Sequence, residues 1–245
     1  MPDTLVLIHG FPLAGGQWER QSGALSGTIQ VLAPSLPGFG GEPGAGDMMT
    51  MADAATHVFQ AMDAAQADKA VVCGLSMGGY VAFEMWRRAP ERFQGLILAN
   101  TRSGADDEAG RERRLGLAER LEAEGAGFLV ENPGPLLSET ADDETWQAVR
   151  DIIAAQPSAS IAAASRGMAE RPDSTGDLGG ITVPTMVVIS TGDTLIPPEV
   201  TAPIAEQVPG ATLETIDGAG HLSNMEAPGE FTLLLERHLT ICGLL

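Results

Sequence analysis

The sequence predicts an α/β fold, a mostly parallel sheet of about six strands with helices on both faces and a helical insertion between two strands. Three observations carry that prediction. Short apolar runs rich in β-branched residues recur at 4–8, 29–33, 70–73, 95–99, 185–189 and 211–216. Turn residues and a helix-sized interval separate most of them, as βα units of a parallel sheet buried on both faces require. The composition, 44% hydrophobic and 19% charged over 245 residues, is globular and suits one domain carrying an insertion.

The first run, Thr4 to Ile8, leads into His9-Gly10-Phe11-Pro12. No basic region precedes it, and it is too short for a signal segment or a membrane span, so the expected location is cytoplasmic. After the second run, residues 51–65 carry an apolar helix stripe of Ala54, Ala55, Val58, Phe59 and Met62. The third run passes through Gly74-Leu75-Ser76-Met77-Gly78 into a helix over 79–88, which Pro90 ends. About 80 residues then separate Asn100 from the next strand signal at Ile181, roughly twice a normal crossover. That interval reads as helical at 109–124, 143–155 and 158–171, punctuated by Pro133, Pro135, Pro157 and Pro172. The expected division is a core of 1–100 and 181–245 with a helical cap insertion, 101–180, over one end of the sheet. A last helix, 227–239, begins near Pro228.

Charge and cysteine usage exclude several functions. With 14 Lys+Arg against 33 Asp+Glu the net charge is -19, which argues against nucleic-acid and anionic-membrane partners. Lys69 is the single lysine. Cys73 and Cys242 cannot form a disulfide scaffold, and no Cys/His cluster has metal spacing, so no metal or cofactor is expected. Cys73 reads as a buried small hydrophobe. Oligomeric state is not legible.

Ser76 stands where a buried strand ends and a helix begins, a position that forces a tight, strained turn and exposes the hydroxyl. Glycines two residues before and two after remove side chains that would collide there. A glycine-rich phosphate loop is the rival, but neither G-x-G-x-x-G nor G-x-x-x-x-G-K is present. A serine needs a base to take its proton. Of four histidines, His57 and His238 fall in helical patterns and His9 ends the first strand. His221, in Asp217-Gly218-Ala219-Gly220-His221 after the last strand, is the best base, at the carboxyl edge where such sheets bind ligands. A carboxylate must orient the imidazole. Asp193 follows the fifth strand and is favoured; Asp217, nearer in sequence, is the alternative.

The stretches Leu5 to Pro12, Gly74 to Gly79, Gly192-Asp193 and Gly220-His221 together resemble the α/β-hydrolase superfamily, in its chain order Ser, Asp, His. The resemblance covers nearly the whole chain outside 101–180, which corresponds to the family's variable cap. It implies that the backbone N–H groups of Phe11 and Met77 form an oxyanion hole and that His9 is structural. Some relatives place the acid after the preceding strand, where this chain has Asn100 and Arg102. Many members also begin with an antiparallel strand pair; this chain starts at the His-Gly strand, so a smaller sheet with a newly exposed edge is expected. Serine as nucleophile argues against haloalkane dehalogenases, epoxide hydrolases and dienelactone hydrolases. The stretch Met168 to Ser174 is similar to enol-lactonase-like and small carboxylesterase members.

The expected function is hydrolysis of a carboxylic ester or lactone by Ser76, His221 and Asp193 through an acyl-enzyme intermediate. Trp146, Met168, Leu195 and Leu222 are the candidate substrate-lining residues. Acyl transfer, perhydrolysis or carbon–carbon cleavage by the same triad, and a triad-bearing ligand sensor, are the alternatives.

Overall fold

The computed structural model describes residues 3–245. Six strands form one sheet: β1 (Thr4–Ile8), β2 (Gln30–Leu32), β3 (Ala70–Leu75), β4 (Phe93–Ala99), β5 (Thr185–Ser190) and β6 (Thr212–Ile216). Their order is β2-β1-β3-β4-β5-β6, and every neighbouring pair is parallel.

Strand alternation divides the core into two layers. Val6, Ile8 and Val72 face a cluster built with α2 (Met51–Ala64) and α3 (Met77–Arg88). Leu5, Leu7, Val71 and Cys73 face the other side, against Trp18, Leu25 of α1 (Glu19–Leu25) and Phe231, Leu235 and Leu239 near the chain end. A fully buried Leu or Ile contributes about 1.5–3 kcal/mol before entropy is counted, so the central strands anchor both layers. Thr50 caps α2 through a reciprocal pair with Asp53, its hydroxyl accepting from the Asp53 N–H at 3.1 Å and its own N–H reaching the carboxylate at 3.0 Å.

Burial on both faces holds for β1, β3 and β5, but not for the sheet edges. Edge strand β2 is three residues long and half-buried, while Leu213 of β6 is 45% exposed. A short or partly solvated edge limits pairing with other chains. The strand runs also differ at their ends: β3 extends to Leu75 and takes in Gly74, and α3 starts two residues earlier than the apolar pattern suggested.

Between β4 and β5 the chain forms α4 (Glu108–Glu124), α5 (Gly127–Glu131), α6 (Asp143–Ala154) and α7 (Ser158–Ala169). Asp107 and Asp142 cap α4 and α6 by accepting N–H groups at 2.7 Å. Ser165 of α7 donates to the Arg114 carbonyl of α4 at 2.9 Å. Asp106 joins the entry and exit of this segment, pairing with both Arg114 and Arg171. Burial alone would raise the Asp106 carboxyl, but hydrogen bonds and charge from the two arginines outweigh it and hold it at about 2. Backbone bonds from Met49 to Ala163 (3.1 Å) and from Leu222 to Leu136 (2.9 Å) join the segment to the loops before α2 and after β6.

The chain then passes through β5, α8 (Pro198–Thr201), α9 (Pro203–Gln207), β6, α10 (Ser223–Glu226) and α11 (Pro228–Ile241). No described helix is long and apolar enough to cross a membrane. Because β1 lies between β2 and β3, the winding direction reverses beside it, and ligands of such sheets bind at the carboxyl ends near that reversal. The loops that leave β1, β3, β4, β5 and β6 all share this edge.

Candidate active site

Ser76 is the single residue between β3 and α3. Its backbone, φ 56° and ψ −116°, lies in a region that costs a non-glycine residue about 1–3 kcal/mol. Three bonds hold it there: its N–H donates to Ala99 at 3.0 Å, and its carbonyl accepts from Gly79 N–H at 2.9 Å and Thr101 Oγ1 at 2.7 Å. A Cβ on Gly74 would strike the Gly78 carbonyl, and one on Gly78 would strike the Ile8 carbonyl, so the turn closes only with glycine at both positions. Ser76 is 8% exposed.

His221 and Asp193 meet across the same edge. Nδ1 of His221 donates to Asp193 Oδ2 at 2.8 Å, and the imidazole is 1% exposed. Its Nε2 is buried and has no hydrogen-bond partner. With Nδ1 carrying the proton, Nε2 is an acceptor, the tautomer a general base needs. Asp193 Oδ1 accepts the N–H groups of Leu195 and Ile196 at 2.9 Å each, which fixes the carboxylate. Asp217, by contrast, is exposed at the end of β6 and makes no contact with His221.

Sequence reasoning missed the polar residues behind this pair. Asn100, with φ 45°, directly follows β4 and donates from Nδ2 to Asp193 Oδ2 at 3.0 Å and to Ser190 Oγ at 2.9 Å. Its Oδ1 accepts from Ser223 Oγ at 2.8 Å, which ties the loop after β4 to the loop carrying His221. Glu226 accepts the Gly220 N–H at 2.7 Å and the Ser138 hydroxyl at 2.6 Å, joining the histidine loop to the helical segment. The one signal available for Asn100 was its position at a strand end.

His9 is saturated. Its Nδ1 donates to the Gly10 carbonyl and its Nε2 accepts from Leu36 N–H, both at 3.0 Å, so neither nitrogen serves Ser76. Burial pushes its pKa down to about 4, against a smaller opposing effect of the Gly10 bond. Burial likewise pushes the Cys73 thiol far up, which keeps it protonated and unreactive. Phe11, just past β1, has no acceptor for its N–H among the described residues, and Met77, first in α3, has none within its helix.

Ser76 opens into a cavity of about 250 Å³. Phe11, Leu117, Leu129, Leu136 and Ile153 supply apolar wall, and Arg102 and Arg114 are its charged members. Met168 and Leu195 line it. Trp146 and Leu222 do not, and the expectation for them is corrected. Trp146 packs on the second core layer with the Arg150 guanidinium 5.5 Å from its ring, because the apolar face of α6 turns toward that layer. Leu222 is fully buried in the same layer, where its backbone anchors the His221 loop to Leu136. A second cavity, about 330 Å³, lies between Gln17, Arg20 and α6 and contains neither Ser76, Asp193 nor His221.

The profile of the alpha/beta hydrolase family matches residues 5–232. The chain belongs to that family. Within this family it is 27% identical, over 96% of its length and 97% of the relative's, to a pimeloyl-[acyl-carrier protein] methyl ester esterase of Aromatoleum aromaticum. It is 28% identical to 3-oxoadipate enol-lactonase 1 of Acinetobacter baylyi, covering 93% of this hydrolase and 85% of that one. Among solved structures, a thermophilic esterase from Thermogutta terrifontis, determined with malate bound, superposes with a TM-score of 0.94 and 36% identity over 98% of this chain and 90% of that one.

Proposed function

We propose that the protein is a serine hydrolase acting on a carboxylic ester or lactone, with Ser76 as nucleophile, His221 as base and Asp193 as the carboxylate that orients it. The observation that carries this reading is the unpartnered Nε2 of a buried His221 whose other nitrogen is held by Asp193. The relatives named as esterases and an enol-lactonase support the substrate class.

In the first step Ser76 Oγ attacks the carbonyl carbon while Nε2 takes the hydroxyl proton. The carbonyl oxygen gains the negative charge, and the N–H groups of Phe11 and Met77 receive it. Collapse of this intermediate expels the alcohol, protonated by His221, and leaves an acyl group on Ser76. Water then gives a proton to His221 as it attacks the acyl carbon. Collapse of the second intermediate breaks the Oγ–carbon bond, with the imidazolium returning the proton to Ser76 Oγ and the acid released. Asp193 stays ionised and stabilises the imidazolium formed in each half. The helical segment 101–180 acts as a cap that shapes the acyl pocket through Met168 and its neighbours.

Ser76→Ala tests the assignment. Turnover of a short aryl ester is expected to fall by about 10⁴–10⁶ with the fold retained by circular dichroism, since a triad acts as a unit. Retention of more than a few per cent of activity in purified variant contradicts it, and single turnover by the native protein favours a ligand sensor.

A further inference from the structure

Arg102 lines the cavity above Ser76, and its Nε is buried without a hydrogen-bond partner. It makes no ion pair or hydrogen bond through its side chain with any described residue. The other arginine of the cavity, Arg114, is occupied: Nε pairs with Asp106 and Nη1 rests on Met168 Sδ at 3.3 Å. No Asp or Glu lines this cavity, although the chain carries 33 of them and a net charge of -19. Arg102 therefore meets no carboxylate within the cavity, despite the acidity of the chain. A desolvated donor left unpaired is unfavourable, and an acceptor arriving with a ligand removes that penalty.

The root of Arg102 is fixed by the reacting residues themselves. Asn100, two residues earlier, donates to Val188 through its N–H at 2.9 Å and to Asp193 through its side chain at 3.0 Å. Thr101 donates to the Ser76 carbonyl at 2.7 Å, and its own carbonyl accepts from Thr201 Oγ1 at 2.6 Å. The backbone before Arg102 is therefore clamped to both the nucleophile turn and the acid loop. Only the side chain has freedom, and it extends into the space a substrate fills. A guanidinium matches a carboxylate through two parallel N–H bonds, which gives orientation as well as affinity.

We propose that Arg102 recognises a free carboxylate on the substrate, so that the site takes a short anionic ester or lactone rather than a neutral one; this rests on the hydrolase reading above. The cavity of about 250 Å³ lies at the small end for ligand pockets, which limits the acyl part to a few carbons. The apolar wall of Leu117, Leu129 and Ile153 covers the methylene groups between the carboxylate and the scissile carbonyl. A hemiester of a short dicarboxylic acid has this pattern: one end reacts at Ser76 and the other binds Arg102.

The test compares monomethyl succinate with methyl pentanoate, two esters of similar length that differ in the terminal charge, by proton release at fixed pH. The native protein is expected to favour the hemiester by about 10-fold or more in kcat/KM. Arg102→Gln lowers that preference by about 10- to 100-fold, through KM, the size expected for a lost charged hydrogen-bonded pair. Arg102→Lys restores part of it, as a point charge without the two-pronged geometry. Calorimetric titration of monomethyl succinate into Ser76→Ala reads the subsite without turnover, and adding Arg102→Gln weakens Kd by a similar factor. Failure of the native protein to hydrolyse either ester contradicts the hydrolase reading, while the titration still decides the role of Arg102. A native preference for methyl pentanoate, an equal selectivity ratio in Arg102→Gln, or an unchanged Kd overturns the proposal.

Discussion

His9, directly after β1, and His221, in the loop after β6, both stand beside a glycine at the carboxyl edge of the sheet, yet their surroundings differ in one respect that decides what each can do. His9 has a donor and an acceptor on its two nitrogens, both at 3.0 Å, and is closed to a third partner. His221 has Asp193 on one nitrogen and nothing on the other. Burial is similar for the two rings, so burial alone does not mark a reactive histidine. The distinguishing feature is that Asp193 holds one nitrogen of His221 while the other has no hydrogen-bond partner. Arg102, on the wall of the cavity that contains Ser76, likewise has a nitrogen, Nε, without a partner.

Changes to what holds His221 are expected to break this contrast most severely. Asp193→Asn exchanges an acceptor for a donor at His221 Nδ1 and favours the wrong tautomer, lowering kcat by roughly 10³–10⁴. Asn100→Ala leaves the carboxylate in place but removes its 3.0 Å support, and a loss of roughly 10- to 100-fold in kcat is expected. Asp217→Asn changes an exposed group and should stay within about 2-fold. Steady-state kinetics on one aryl ester ranks all three, and a larger loss for Asp217→Asn than for Asp193→Asn would reverse the assignment of the acid.

The effect at His9 is on stability rather than on rate. The folded protein disfavours its imidazolium, with a pKa of about 4 against 6.5 in the unfolded chain. The unfolded chain therefore takes up the proton first, so the contribution to stability is complete above about pH 6.5 and is lost as the pH falls toward 4. The loss from this residue is about 3 kcal/mol across that window. Burial lowers the pKa of His238 as well, which adds in the same direction. Urea unfolding at a series of pH values is expected to give a shallower pH dependence for His9→Gln than for the native protein. Parallel curves contradict the saturated, neutral state of His9.

Strand runs, the Ser76 turn and the helical interval were legible because each leaves a local pattern: β-branched blocks, paired glycines, and 3.6-residue stripes. The contrast between the two histidines was not local. His9 and Leu36 are 27 residues apart, and Asn100 and Asp193 are 93 apart, so no window of sequence contains either pair. Trp146 shows the same limit from the other side. An aromatic residue in the helical interval suggested a pocket wall, but of that helix Ile153 lines the Ser76 cavity while Trp146 packs only on the core layer. Helical periodicity identifies an apolar face without saying which of two apolar environments receives it.

Covalent labelling with a small alkyl fluorophosphonate tests the central claim, that His221 activates Ser76, most directly. The reagent forms an Oγ–phosphorus bond with an activated serine and releases fluoride, while the hydroxyl proton passes to the base. One adduct per chain, mapped to the peptide containing Ser76, is expected, with loss of esterase activity in proportion to labelling. In His221→Ala the labelling rate is expected to fall by at least about 10³. An adduct on any other residue, a labelled protein that still turns over ester, or equal labelling rates with and without the imidazole would contradict the account.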